Sequence, residues 1–375
     1  MAMDRSLIVQ ILREIKADPQ QRISFRRYME LALYHPHLGY YRRPLPKIGK
    51  EGDFYTSPKV GEVFGWSLAQ AMARMVDTFP PDTPWLLIEA GAGDGTLAQQ
   101  VIQSLAEQEQ LPAAFYLIES SHYHRTQLEE LAGRCPVPLR LVNGVAEIPD
   151  GKPAILYSNE LLDAFPVHRV TSDQGALREL YVAQEGEKSA LTEVSGPLSR
   201  PELESYFREL KWQLPEGWTA EVPLDALEWL EEVGGWLEKG YLITLDYGGT
   251  VEELSRPERK QGTLRCYRQH QLHRDFYRDP GSSDMTSHVH FTALMERGKR
   301  LGLETLLYTD QSRFLQGAGI FKRWTLPPRD PFSPEAKRNR AIRHLAVAGG
   351  MGDAFQVLVQ SKGIAQPVSG VTSEL

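Results

Sequence analysis

The feature that most constrains this chain is the stretch Trp85–Gly95, WLLIEAGAGDG. An apolar run, Leu86-Leu87-Ile88, leads to Glu89 and then to Gly91, Gly93 and Gly95, with helix-compatible sequence from Thr96 onward. That order reads as a buried strand, a tight loop and a helix N-terminus. Glycine lacks a Cβ and tolerates positive φ, so such a loop lets backbone come close to a ligand. The same loop also serves as a plain turn that packs a helix on a strand, so its surroundings must choose between the two readings.

The spacing departs from two phosphate-binding patterns. The dinucleotide fingerprint G-x-G-x-x-G is not met, because Gly91, Gly93 and Gly95 are followed by Thr96, Leu97 and Ala98. No Gly-Lys-Ser/Thr follows either, which removes a P-loop. Glu89 at the strand end and Asp94 inside the loop would repel a phosphate. They suit a ligand with positive charge and hydroxyls, such as S-adenosylmethionine with its sulfonium, ammonium and ribose. Glu119 closes the next apolar run, Phe115–Ile118. Doubly wound sheets place a ribose-gripping carboxylate at that position.

From Trp85 onward strand and helix signals alternate. Strands are expected to Ala90, to Glu119, at Leu139–Val142, at Ala154–Tyr157 and at Tyr241–Asp246, with helices from Thr96, around Arg125–Leu131 and over Asp225–Glu238. The fold class read from this is α/β, a Rossmann-like parallel sheet with helices on both faces. Ligands of such sheets sit beyond the carboxyl ends of the strands. Ahead of the sheet, apolar spacing predicts helices over Ser6–Lys16, over Phe25–Leu33 capped by Ser24, and over Val60–Val76. Later segments read as a helix at Phe291–Leu301, a strand at Glu304–Tyr308, helices at Glu335–Ala348 and Asp353–Gln360, and a frayed final dozen residues. The divisions expected are an N-terminal helical and cofactor-lid region over 1–82, a core over 83–165 and 220–325, an inserted β/loop cover over 166–219, and C-terminal helices and tail over 326–375. Residues 249–289 read as polar loop.

Composition bounds the function. With 375 residues, 41% of them hydrophobic and 24% charged, the chain suits one large domain or two. A net charge of −7, with no basic stripe, argues against nucleic acid. Two cysteines exclude a disulfide scaffold and fit a reducing compartment. No run of eighteen apolar residues offers a membrane span. The first twenty residues lack a signal or transit pattern, so a cytoplasmic, bacterial-type protein is expected.

Three further stretches could carry chemistry. Ser158-Asn159-Glu160-Leu161-Leu162-Asp163 follows an apolar strand. Asn159 and Glu160 would face the crevice, and Asp163, three residues beyond Glu160, would share a helical face with it. Two acids can pair with a guanidinium and orient its lone pair toward a methyl donor; Asn159 and Asp163 also suit helix capping. Gly52–Pro58, GDFYTSP, could fold over a cofactor through Thr56 and Ser57, or those residues could cap a helix with Pro58 in its first turn. Asn143 ends a strand on the same expected edge. His288 and His290 stand two apart, but no second His/Cys cluster completes a metal site, so no metal is expected.

EAGAGDGTL, SNELLDAFPVHR, GDFYTSPKVGEVFG, LITLDYGG, GTLRCYRQH and FRRYMELALYHPHLGYY together resemble the MidA family of class I S-adenosylmethionine-dependent methyltransferases. That family includes the mitochondrial protein arginine methyltransferase needed for assembly of respiratory complex I. The resemblance runs from Ile23 to Lys362, with GMGDAFQVL near its end. It implies that Glu89, Gly91 and Gly93, with Asp94 nearby, line S-adenosylmethionine, that Glu119 holds its ribose, and that Asn159, Glu160 and Asp163 approach the methyl-transfer site. It also implies a protein substrate, with a respiratory-complex subunit as one candidate, and is compatible with a homodimer. Where the family pattern would read D-I-T-A-H-V-D-F, this chain has His290 in place of the second acid. The competing functions are a cofactor-binding assembly chaperone that transfers no methyl group, and a small-molecule methyltransferase.

Overall fold

A computed structural model describes residues 6–43, 57–186, 190–268, 271–326, 330–347 and 349–365. The chain divides into two compact units. One is built from residues 1–54, 162–229 and 248–296; the other from residues 55–161, 230–247 and 297–375. These units cut across the divisions expected from sequence, because the first 82 residues contribute to both.

The second unit holds the large sheet. Its strands are β1 (Leu86–Ala90), β2 (Ala114–Ile118), β3 (Leu139–Val142), β4 (Ala154–Asn159), β5 (Gly240–Gly249), β6 (Glu304–Asp310) and β7 (Phe355–Lys362). They lie in the order 3-2-1-4-5-7-6. β1 to β5 are mutually parallel, and β7 runs antiparallel to both β5 and β6. Leu86, Leu87, Ile88 and Ala90 are all buried, as are Ile155, Leu156 and Tyr157. A parallel strand covered on both faces reads as a continuous apolar run, which is why these segments were legible. Full burial of each Leu or Ile side chain stabilises by about 1.5–3 kcal/mol relative to exposure. Helices Val63–Val76 and Thr96–Glu107 pack on this core through Phe64, Leu68, Met72, Leu97 and Val101. The order reverses between β1 and β4, and such a reversal opens a crevice at the carboxyl ends of the two strands.

β7 corrects an expectation. Residues Asp353–Gln360 read as a helix, but Phe355–Lys362 forms an eight-residue strand. Wedged between β5 and β6, it is buried on both faces, Gln360 and Ser361 included, so it lacks the alternation that marks a one-faced strand.

The first unit contains a five-stranded antiparallel sheet of Arg22–Ser24, His168–Asp173, Ala176–Gln184, Leu191–Gly196 and Thr219–Val222. Helices Leu7–Ala17 and Phe25–Tyr34 share its core, the latter capped by Ser24, whose Oγ accepts the Arg27 N–H at 3.1 Å. The supposed loop 249–289 carries a second small sheet of Arg265–Arg268, Gln271–His273 and Asp284–Thr286. Strands of three or four residues in polar sequence leave too little pattern to read.

Candidate active site

The site is built at the β1/β4 reversal of the second unit. After Ala90 the backbone turns through Gly91 (φ +76°), Gly93 (φ +54°) and Gly95 (φ +78°) before the helix Thr96–Glu107 begins. Only glycine takes that alternating left-handed path without strain. The loop is tied to the end of β2, since the N–H groups of Gly91 and Ala92 both donate to the Ile118 carbonyl, at 2.9 and 3.3 Å. The Gly93 N–H donates to Glu119 Oε2 at 2.8 Å, and the Ser121 N–H donates to Glu119 Oε1 at 2.6 Å. Glu119, 9% exposed, therefore clamps the glycine loop to the start of the next helix. Each carboxylate oxygen keeps a further lone pair for a ligand hydroxyl.

Glu89 lies beneath the loop, 3% exposed, and accepts the Tyr157 hydroxyl at 2.7 Å. Burial pushes its pKa up to about 8, with Asp94 and Glu119 adding to the rise and the Tyr157 hydrogen bond opposing it. In the protein alone Glu89 is thus largely neutral at pH 7, ready to ionise when a cation approaches. Asp94 behaves in the opposite way. Burial raises its pKa, but hydrogen bonds from Lys59 and Thr96 outweigh that and hold it below the usual carboxylate range. Its Oδ1 accepts the Thr96 N–H at 3.0 Å, and its Oδ2 lies 2.5 Å from Lys59 Nζ, which also donates to Thr96 Oγ1 at 2.7 Å. Asp94 thereby fastens the helix N-terminus, a place where carboxylates are favoured. Lys59 escaped sequence reasoning because its partners lie far along the chain.

Across the reversal, β4 ends in Ser158-Asn159 and the backbone enters a left-handed conformation at Glu160 (φ +51°). A non-glycine residue there costs about 1–3 kcal/mol and persists only where its surroundings enforce it. The enforcement is visible: the Glu160 N–H donates to the Leu245 carbonyl at 2.9 Å, and the Leu161 N–H donates to Asp246 Oδ2 at 3.2 Å. Asp246, within β5, is fully buried and accepts the Tyr247 N–H at 2.8 Å through Oδ1. Asn159 Nδ2 donates to Glu160 Oε1 at 3.2 Å, while Asn159 Oδ1 and Ser158 Oγ are buried with no hydrogen-bond partner among the described residues. Leu161 packs on the glycine loop, so that a Cβ on Gly91 would meet its Cδ1 at 2.9 Å. A side chain at Gly91 would therefore have to displace the Leu161 methyl group, in addition to the strain of its positive φ.

Comparisons with known proteins bear on the family and the fold. A family model described as "putative S-adenosyl-L-methionine-dependent methyltransferase" matches residues 67–309. The chain belongs to this family. A crystal structure of a COG1565 superfamily member from Burkholderia thailandensis, bound to S-adenosyl-homocysteine, is similar over 98% of this chain and 94% of its own, with a TM-score of 0.87 and 29% identity. The mitochondrial protein arginine methyltransferase NDUFAF7 of Homo sapiens is 27% identical over 335 residues, covering 80% of this chain and 70% of its own length. Its Drosophila melanogaster homolog is 27% identical over 293 residues, and the match spans 70% of this chain and 64% of the fly protein. The resemblance to the MidA-type methyltransferases read from sequence motifs thus holds at the level of the family and of the fold.

The remaining expected site residues fall in different places. Glu89, Gly91, Gly93, Asp94, Glu119, Asn159 and Glu160 come together in the second unit. Asn143 ends β3 exposed, donating to Glu147 Oε1 at 2.7 Å, and Arg125 Nη1 links the Glu119 and Val142 carbonyls beside it. Ser57 is fully buried, with its hydroxyl 3.3 Å from the Gln311 side-chain amide, in the short helix Ser57–Val60. Thr56 and the rest of the GDFYT stretch lie outside the described residues, as does the tail from residue 366.

Asp163 belongs to the first unit, in a 3-10 turn over Leu162–Ala164. The expected helical face shared with Glu160 does not form, because the left-handed step at Glu160 breaks the helical path before that turn begins. Asp163 is buried, and its carbonyl accepts the Ser287 N–H at 2.9 Å. Burial, together with the charges of Asp284 and Asp163, drives the Tyr41 hydroxyl well above its ordinary pKa. In the same unit His290 packs between Tyr206 and Trp212, at ring distances of 5.7 and 5.1 Å. Its Nδ1 accepts the Ala293 N–H at 3.2 Å, and burial pushes its pKa down to about 4. A neutral histidine thus fills the position of the expected acid. His288 instead pairs with Arg259 at 2.6 Å. No group of three metal-ligating side chains occurs among the described residues.

Proposed function

We propose that this protein transfers a methyl group from S-adenosylmethionine to a nitrogen of an arginine side chain in a protein substrate. The cofactor supplies an electrophilic methyl group on sulfur when bound. Glu89, neutral in the unliganded protein, would ionise beneath a cationic ligand, and Glu119 would accept ribose hydroxyls on its free lone pairs. Gly91–Gly95 offers bare backbone beside both. For the acceptor, Glu160 would pair with a guanidinium and hold one nitrogen lone pair toward the crevice. The buried Asn159 Oδ1 would accept an N–H of the same group and so satisfy an oxygen that has no partner among the described residues. Alignment of donor and acceptor supplies most of the rate in such a reaction, and little acid–base help is needed.

The observation that supports this reading is the strained Glu160 at the topological reversal, held there by β5 one residue before Leu161, which packs on the glycine loop. The names of the mitochondrial relatives support arginine as acceptor and a protein as substrate. A subunit of a respiratory complex is the substrate class we favour. Two cysteines not joined in a disulfide fit a reducing compartment, and we place the reaction in the cytoplasm. No helix among the described residues is long and apolar enough to cross a membrane.

The test is incubation of the protein with methyl-labelled S-adenosylmethionine and cell extract, followed by mass spectrometry. Labelled methylarginine in a protein is the expected result. Label only in the low-mass fraction would make the acceptor a small molecule, and cofactor binding without any transfer would make the protein an assembly chaperone.

A further inference from the structure

Exposed large apolar side chains are distributed very unevenly over this protein. Among the described residues seven stand out, and five of them, Phe321, Trp324, Leu326, Phe332 and Val347, lie within one 27-residue segment of the second unit. Leu326 is 89% exposed and Phe332 77%. Soluble surfaces rarely gather such residues without a use for them. This is not a loose tail. The stretch through Thr325 is fastened along the helix Pro334–Ala346, since Arg338 Nε donates to the Arg323 carbonyl at 3.0 Å and Asn339 Nδ2 to the Thr325 carbonyl at 2.9 Å. Arg340 Nη1 donates to the Pro331 carbonyl at 2.6 Å and so braces the backbone next to Phe332.

The charge of the same segment opposes that of the whole. Across the described residues of 320–347, six Lys and Arg stand against Asp330 and Glu335, in a chain whose net charge is −7. Lys322, Lys337, Arg340 and Arg343 are exposed. Phe, Trp and Leu tips flanked by cations are the composition of a surface that rests in the headgroup region of an acidic bilayer.

We propose that this segment docks on an anionic phospholipid surface, inserting Leu326 and Phe332 while its exposed cations meet lipid phosphates. A second copy of the chain fits less well, because a two-fold interface would set this basic patch against itself. Protruding apolar tips favour a bilayer over a folded acidic protein, since a bilayer accepts them without a matching pocket.

The test is co-sedimentation with phosphatidylcholine vesicles, with and without phosphatidylglycerol, at low and physiological salt. Binding should require phosphatidylglycerol and weaken with salt. Leu326→Ser with Phe332→Ser should reduce partitioning at least tenfold, and Lys322→Gln and Lys337→Gln about fivefold each at low salt. All of these side chains are exposed, so an unchanged thermal midpoint confirms folding. No sedimentation with anionic vesicles, equal binding to neutral ones, or unaffected variants would overturn the proposal. So would a dimer that the Leu326→Ser/Phe332→Ser pair dissociates, or an acidic protein that takes the patch while vesicles do not.

Discussion

The two sides of the β1/β4 reversal are built differently. On the β1 side hydrogen bonds close the loop: Gly91 and Ala92 donate to Ile118, Gly93 donates to Glu119, and Lys59 closes on Asp94 and Thr96. On the β4 side the backbone is strained at Glu160, and Ser158 Oγ and Asn159 Oδ1 are buried without hydrogen-bond partners among the described residues. The difference separates the tasks. On the reading proposed above, the cofactor would meet an already hydrogen-bonded loop, whereas the acceptor side would offer strain and hydrogen-bonding capacity that a substrate could relieve.

The hardest blow to this contrast is Gly91→Val. The substitution places a branched residue at φ +76° and drives its side chain into Leu161. It should cost about 3 kcal/mol or more in stability and eliminate cofactor binding in calorimetry. Full affinity in a normally folded variant would mean the loop is not the cradle. Next comes Glu119→Ala, which strands the Gly93 and Ser121 N–H groups. Chemical denaturation should register a loss of about 1–3 kcal/mol, with a matching fall in cofactor affinity; stability lost without affinity would confine Glu119 to a structural clamp.

Glu89 supplies a pH test. Its folded-state pKa of about 8 lies above the usual 4.5, so the folded protein binds the extra proton between those values. Its contribution to stability is therefore fully present below about pH 4.5 and is lost as pH rises through about 8. A cationic cofactor reverses the slope for binding, and affinity should rise by up to about tenfold per pH unit, or about 1.4 kcal/mol, on approach to pH 8. Calorimetric titrations from pH 6 to pH 9 would expose this, and Glu89→Gln should flatten both curves. An affinity independent of pH in the unmodified protein would remove Glu89 from the site. The smallest change in stability is expected at Glu160→Gly, which relieves the left-handed strain and should raise stability by about 1 kcal/mol while removing activity. A less stable variant would show that Glu160 serves the fold and not the reaction.

Much of the β1 side was legible in the sequence because it is local. The apolar strand, the alternating glycines and Glu119 follow one another along a short stretch, and each has a one-residue physical reason. The pairs that pack the loop join distant segments, Lys59 with Asp94 and Leu161 with Gly91, and nothing in their own neighbourhoods announces them. On the β4 side the types of Asn159 and Glu160 gave notice of chemistry. The turn at Glu160 did not, since a glutamate carries no signal for positive φ, and a helical continuation to Asp163 was the natural but mistaken expectation. In the sheet, β1, β2, β4 and β5 were readable as apolar runs. β7 was not, because Phe355–Lys362 owes its conformation to the strands on either side.

The claim that donor and acceptor duties divide across the reversal is tested most directly by Glu160→Gln. S-adenosylmethionine affinity by calorimetry should stay within about twofold, while methyl incorporation into protein falls at least about 100-fold, close to 2.7 kcal/mol of transition-state stabilisation. Affinity and transfer falling together, or transfer left unchanged, would contradict the account.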